Sequence, residues 1–276
     1  MKKSNPEIGL SVKAGDIKTN YHDSGRGSPL MLLHGSGPGV TGWANWRLVM
    51  PALSQEHRVL VPDIVGFGYT ERPGGITYSM DTWLRHASDF MDAVGVDSVD
   101  LIGNSFGGAL ALAFAIQNPK RVRRLALMGS VGVDFEITKA LDIIWGYSPS
   151  VENMRTMMSY FAYDQGLVND ELALMRYEAS IRPGVQEAYS AMFPAPRQKW
   201  IGALASDEHD IKQIAHETLI IHGREDQVIP LSNSYRLFDL IPNAQLHVFG
   251  NCGHWTQIEH SDRFARLIID FLSEVD

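Results

Sequence analysis

The stretch Val99-Asp-Leu-Ile-Gly-Asn-Ser-Phe-Gly-Gly108 decides the reading of this chain. An apolar run, Val99–Ile102, leads into Gly103-Asn104-Ser105-Phe106-Gly107, and a helical stretch, Ala109–Gln117, follows. This is G-x-S-x-G in the strand–turn–helix setting that its mechanics require. Glycines on both sides of Ser105 let the backbone turn tightly. The serine then stands on a strained elbow with its hydroxyl above the sheet. The N–H of Phe106, at the helix start, is free to donate to an oxyanion. A glycine-rich turn that merely packs would not need a buried strand before it and a helix after it. The context therefore favours a nucleophile.

Further short apolar runs end in turn signals. They are Leu30–Leu33, Arg58–Val61, Leu125–Met128, Thr218–Ile221 and Leu246–Phe249. Continuous runs of this kind suit strands buried on both faces of a parallel sheet. Ile8–Val12 and Ile17–Asp23 read as two antiparallel strands joined near Gly15. The segments between the runs read as helices. The last is the clearest, with Phe264, Leu267, Ile268, Phe271 and Leu272 on one face. The alternation predicts an α/β fold, a mostly parallel sheet wound with helices on both sides.

One region breaks the alternation. Residues 134–210 contain no convincing buried strand and are rich in Met, Tyr, Phe and Trp, with N-cap sequences at Ser150 and Asn169-Asp170-Glu171. A helical insertion is expected there, dividing a core of residues 1–133 and 211–276. Insertions at the carboxyl end of a parallel sheet face the site, which favours a lid over a subdomain that only adds stability.

Composition narrows the function. Of 276 residues, 45% are hydrophobic and 20% charged, enough apolar content for a sizeable core and too much for a disordered chain. One cysteine excludes an intramolecular disulfide and every multi-cysteine metal site. A net charge of −8 argues against a nucleic-acid partner or an anionic membrane surface. No apolar run approaches the roughly 18–20 residues of a membrane span. No apolar segment follows Lys2 and Lys3 as a secretory signal would require. A soluble, cytoplasmic enzyme is expected.

A serine hydroxyl needs a base, and the base needs an orienting group. In this architecture the chain order is serine, carboxylate, histidine. Behind two of the apolar runs stand His222-Gly-Arg-Glu-Asp-Gln227 and Gly250-Asn-Cys-Gly-His-Trp255. Among ten histidines, His254 is selected by this position alone. Glu225 and Asp226 both compete as the carboxylate. Cys252 has no base of its own and reads as packing. The loop His34-Gly-Ser-Gly-Pro-Gly39 is placed to supply the second oxyanion donor, through the backbone of Ser36 and Gly37. The same glycines could cradle phosphate, but neither Lys-Ser/Thr nor G-x-G-x-x-G accompanies them.

At these motifs the chain resembles the meta-cleavage product hydrolases of the α/β-hydrolase fold, over nearly its whole length. The resemblance rests on His34–Gly39, Trp43-Ala-Asn45, Gly103–Gly108, Phe161-Ala-Tyr-Asp164, Met175-Arg-Tyr-Glu-Ala179, His222–Asp226 and Cys252-Gly-His-Trp255. The triad motifs alone indicate only an α/β hydrolase; Asn45, Asn104, Arg176 and Trp255 together are more specific. The resemblance is strongest to hydrolases of 2-hydroxymuconic semialdehyde and 2-hydroxy-6-oxohepta-2,4-dienoate, enzymes of aromatic-ring degradation.

That resemblance implies a Ser105–His254–Asp226 triad, with Asp226 preferred to Glu225. It implies hydrolysis of a C–C bond in a small-molecule dienoate, without metal or organic cofactor, by a homodimer or larger oligomer. Phe106 would complete the oxyanion site with Ser36 and Gly37. Arg176, Asn45, Asn104 and Trp255 would hold the oxygen-rich end of the substrate. A guanidinium suits that task because it stays charged and can contact two oxygens; the competing reading for Arg176 is a surface ion pair with Glu178 or Asp170. The residues serve an acyl-enzyme and a water-activating route equally. Gly166 departs from relatives that carry a hydroxyl residue there. Val131 is expected to face the pocket and narrow it, favouring hydrogen or methyl at C6 over phenyl. A carboxylesterase on the same fold is the alternative function.

Overall fold

The computed structural model describes residues 5–274. Eight strands form one sheet: β1 Leu10–Ala14, β2 Ile17–Ser24, β3 Ser28–Leu33, β4 His57–Pro62, β5 Val99–Asn104, β6 Val122–Met128, β7 Thr218–Gly223 and β8 Ala244–Phe249. Their spatial order is β1-β2-β4-β3-β5-β6-β7-β8. β1 pairs antiparallel with β2, and β2 with β4; all other pairings are parallel.

The expected apolar runs fall inside these strands, and their pattern explains the two helix layers. In β3, Met31 and Leu33 enter one core cluster while Leu30 and Leu32 enter the other. β6 does the same, with Leu125 and Leu127 on one side and Ala126 and Met128 on the other. Side chains alternate across a strand, so a strand apolar at every position must be covered on both faces. β8 departs from this expectation. It is the sheet edge, and only Phe249 of its six residues is fully buried. The closing helix Ser261–Ser273 buries Phe264, Ile268, Phe271 and Leu272 against one face, while Leu267 stays partly buried.

Five helices follow β6: Lys139–Trp145, Val151–Phe161, Asp170–Ser180, Val185–Met192 and Gln198–Leu204, with a short turn of helix at Glu208–Ile211 before β7. The N-caps read from sequence are present. Ser150 Oγ accepts from Asn153 N–H at 2.9 Å, and Asn169 Oδ1 accepts from Leu172 N–H at 2.8 Å. No helix among the described residues is long and apolar enough to cross a membrane.

The strand order positions the site. The chain passes from β3 outward to β4, then returns to the other side of β3 to form β5. Connections leave in opposite directions from the neighbours β3 and β5, so a crevice opens above their carboxyl ends. The loop His34–Gly39 leaves β3 there, and Ser105 follows β5 directly.

Candidate active site

Ser105 sits at the end of β5 with φ 56° and ψ −115°, a left-handed backbone that costs about 1–3 kcal/mol for a non-glycine residue. The fold holds it from both sides. Ser105 N–H donates to Met128 O at 2.8 Å, and Ser105 O accepts from Gly108, Ala109 and Val131 N–H at 3.0–3.2 Å. The flanking glycines are required by contact as well as by conformation. A Cβ on Gly103 would lie 2.2 Å from Gly107 O, and one on Gly107 would lie 2.5 Å from both His34 O and Leu33 O. The helix Phe106–Gln117 begins immediately after, so Phe106 N–H has no intrahelical acceptor. The Phe106 ring turns inward, edge-on to Trp83 at 4.7 Å.

His254 Nδ1 lies 2.7 Å from Asp226 Oδ2. Asp226 Oδ1 accepts from Val228 N–H (2.7 Å) and Ile229 N–H (3.0 Å). His222 approaches the same carboxylate, its Nε2 lying 3.3 Å from Asp226 Oδ2 and 3.0 Å from Ile229 O. Both of these are acceptors, so the proton of His222 belongs on Nε2, and Nδ1 accepts from Ser234 O–H at 2.6 Å. Burial alone would raise the Asp226 carboxyl; the two histidines outweigh it and hold the group well below the usual carboxylate range. An ionised Asp226 accepts from His254 Nδ1–H and leaves Nε2 as the basic nitrogen. Glu225 points elsewhere: it accepts from Cys252 N–H at 3.0 Å and pairs with Arg224. Burial pushes the Cys252 thiol up to about 12, the reverse of what a nucleophile needs.

The histidine loop is fixed by groups with no local sequence signal. His254 and Trp255 N–H both donate to Phe161 O, at 2.7 and 3.1 Å, and Phe161 stacks on Trp255. Glu259 accepts from Gly253 N–H with one oxygen and from Tyr163 and Asp164 N–H with the other. Gly129 packs under the pair, where a Cβ would lie 3.2 Å from the His254 ring and 3.3 Å from Asp226.

A cavity of about 330 Å³ opens over these residues. Ser36, Gly37, Asn45, Asn104, Ser105, Arg176, His254 and Trp255 all border it. Its apolar wall includes Leu141, Ile144, Met154, Met157, Met158 and Phe161 of the helical insertion, together with Val228. Val131 does not border it, contrary to the expectation from sequence. It is fully buried, its side chain lies in the core, and its N–H braces the elbow at Ser105 O. Trp145 and Tyr147 of the insertion likewise pack inside; Trp145 stacks on Phe193 at 4.4 Å and donates to Ser36 Oγ at 3.0 Å.

The polar side of the cavity has a defined polarity. Asn104 Nδ2 donates to Met128 O at 3.3 Å, so its Oδ1 receives Asn45 Nδ2 at 3.2 Å. Asn45 Oδ1 is then left buried without a hydrogen-bond partner among the described residues. Arg176 pairs neither with Glu178 nor with Asp170. Its Nη2 donates to Glu7 Oε1 at 2.7 Å, with both side chains largely buried, and its Nε is buried without a partner. Asp170 is taken by Arg155. Glu7 and Arg47, which sequence reading passed over, border the same cavity.

An elbow serine above the β3/β5 crevice, bordering one cavity with a histidine held by a buried aspartate, is the arrangement of an α/β hydrolase. The family model for the alpha/beta hydrolase fold matches residues 28–261. The chain is 62% identical, over the full length of both proteins, to 2-hydroxy-6-oxo-2,4-heptadienoate hydrolase of Pseudomonas putida. It is 60% identical to 2-hydroxymuconate semialdehyde hydrolase of Pseudomonas sp. (strain CF600), over 99% of this chain and 97% of that one. Among solved structures, a variant of the meta-cleavage product hydrolase CumD superposes with a TM-score of 0.97 at 58% identity, over 98% of this chain and 100% of that one. The chain belongs to the meta-cleavage product hydrolases.

Proposed function

We propose that this enzyme hydrolyses the C5–C6 bond of 2-hydroxy-6-oxo-2,4-dienoates, giving 2-hydroxypenta-2,4-dienoate and a carboxylic acid. One observation carries the reading: a single cavity joins a Ser–His–Asp arrangement to buried, unpartnered polar atoms on one side and an apolar wall on the other. An esterase needs only the first of these.

Each part has a task. Arg176 takes the carboxylate and 2-oxygen, and Asn45 Oδ1 accepts from the 2-hydroxyl. Asn104 keeps Asn45 in that orientation, and the Trp255 indole closes the polar side. Charge held at the 2-oxygen favours the keto form. His254 delivers the proton to C5 and later activates Ser105 or water for attack at C6. The C6 oxygen then develops negative charge against Phe106 N–H and the Ser36–Gly37 backbone. C–C fission returns the electron pair to the dienol fragment, so one water is consumed. Asp226 keeps His254 in the required tautomer throughout. Residues 134–210 act as the lid, whose Met154, Met157 and Met158 face the C6 substituent. A thioether wall adapts to small alkyl groups and rejects charge, which supports aldehyde and methyl substrates.

The decisive experiment follows the visible absorbance of a dienoate beside p-nitrophenyl esters. Fast bleaching with slow ester turnover is expected. Efficient ester hydrolysis without bleaching would refute the proposal in favour of a carboxylesterase.

A further inference from the structure

Glu7 lies in the N-terminal segment, far in sequence from every motif, yet its carboxylate reaches the cavity. The segment is fastened there. Glu7 O accepts from Asn20 Nδ2 at 3.0 Å, Gly9 N–H donates to Asn20 Oδ1 at 2.9 Å, and Glu7 N–H donates to Asn5 Oδ1 at 3.0 Å. Asn20 is itself buried and bonded to Asp63. The Glu7 side chain is only 9% exposed, and it meets Arg176 at 2.7 Å.

A second cation shares this corner. Arg47 borders the same cavity, partly buried, with its guanidinium over the Trp43 ring at 5.6 Å and Nη1 on Ala44 O at 2.5 Å. Burial lowers its pKa, Arg176 lowers it further and Glu7 opposes the shift, as three charges gathered in one place require. Among the side chains that border the cavity here, two arginines and one glutamate leave one net positive charge. The proposed substrate brings one carboxylate, so the loaded corner is neutral.

Resting on the substrate reading above, we propose that Glu7 is a specificity-determining residue. It neutralises one of the two arginines, Arg47 and Arg176, and so matches this side of the cavity to a ligand head bearing a single carboxylate. Without Glu7 the corner would carry two positive charges and would favour a doubly charged head. A buried pair also fixes Arg176 by Nη2, leaving Nε to meet the ligand.

The test measures binding by calorimetry of two acids with the same tail, hexanoate and butylmalonate, which carry one and two carboxylates on the head. The wild-type enzyme should prefer hexanoate. Glu7→Gln keeps the shape and should shift the ratio toward butylmalonate by about tenfold or more, because a unit charge is removed within a few ångströms of the added anion. Glu7→Asp should keep the wild-type ratio. The double variant Glu7→Gln/Arg47→Gln restores a single net charge and should restore the ratio as well, which a merely structural strut would not do. An unchanged ratio in Glu7→Gln, with both acids tightened or weakened together, would overturn the proposal. So would failure of hexanoate to bind the wild-type enzyme. Dienoate cleavage by wild-type enzyme is assayed separately: its absence would refute the substrate reading, whereas an unchanged ratio in an active enzyme would refute only the role of Glu7.

Discussion

Replacing Asp226 by asparagine isolates one proton. Asp226 Oδ1 is occupied by two backbone N–H groups, so an asparagine side chain would keep its oxygen there and turn its NH₂ toward Oδ2's partners. Those partners are His254 Nδ1 and His222 Nε2, both donors in the wild-type network. Donor would then face donor twice in a fully buried place. His254 escapes by moving its proton to Nε2, which removes the base from the side of Ser105. His222 cannot follow as easily, since its Nε2–H also serves Ile229 O at 3.0 Å. The wrong tautomer should cost on the order of 10⁴-fold in turnover. That corresponds to about 5 kcal/mol at 1.36 kcal/mol per tenfold. The His222 donor that stays mispaired should cost about 1–3 kcal/mol in stability. The stability loss should depend on pH. The native Asp226 carboxyl is depressed, so its ionised form stabilises the fold above the unfolded value near 3.8, and that contribution is lost as pH falls through and below it. Wild type and Asp226→Asn should therefore be far apart in urea midpoint at pH 7 and converge in acid. Dienoate decay at pH 7, and urea titrations at pH 7 and well below pH 3.8, measure both effects. Turnover within tenfold of wild type, or a larger loss in Glu225→Gln, would show that the carboxylate is misassigned.

Ser105→Ala should fold normally and lose about 10³-fold or more in turnover; near wild-type bleaching would remove Ser105 from the mechanism. Arg176→Gln should reduce dienoate cleavage roughly 10²-fold, measured by stopped-flow in the ketonisation phase, and leave a small neutral ester almost unaffected. It should also lower the melting temperature, because Glu7 is left buried without its cation. Adding Glu7→Gln should recover part of that loss, and no recovery would argue against the ion pair. Acid should weaken the fold before Asp226 protonates. Burial lowers His34 and His86 to about 4, so the folded state refuses protons that the unfolded chain accepts below 6.5, and stability falls between those values. Asp63, raised by burial to about 6, takes up a proton in the folded state and offsets one of the two below that pH. The urea midpoint should therefore drop from pH 7 to pH 4, less steeply in His86→Gln, and a flat profile would contradict the buried neutral histidines.

The elbow at Ser105 was legible in the sequence because its constraint is local. A serine at positive φ, with glycines where neighbouring backbone approaches within 2.2–2.5 Å of a Cβ position, can be recognised from five residues. The strands were legible because a strand covered on both faces must be apolar at every position; β8, an edge, follows that rule least well. Residue types one position apart could not separate Glu225 from Asp226. Backbone N–H groups at Cys252, Val228 and Ile229 do, and they come together only when the loops after β7 and β8 are neighbours. Val131 looked pocket-facing from its place after β6, but the turn sends its side chain into the core. The pairing of Arg176 with Glu7 lay beyond reach of any pattern. It joins residues 169 positions apart, and an ion pair leaves no periodicity in either segment. Chemistry set by the conformation of a few adjacent residues can be read along the chain. The charge balance of the cavity is a sum over distant segments, and only the packing of the folded chain decides it.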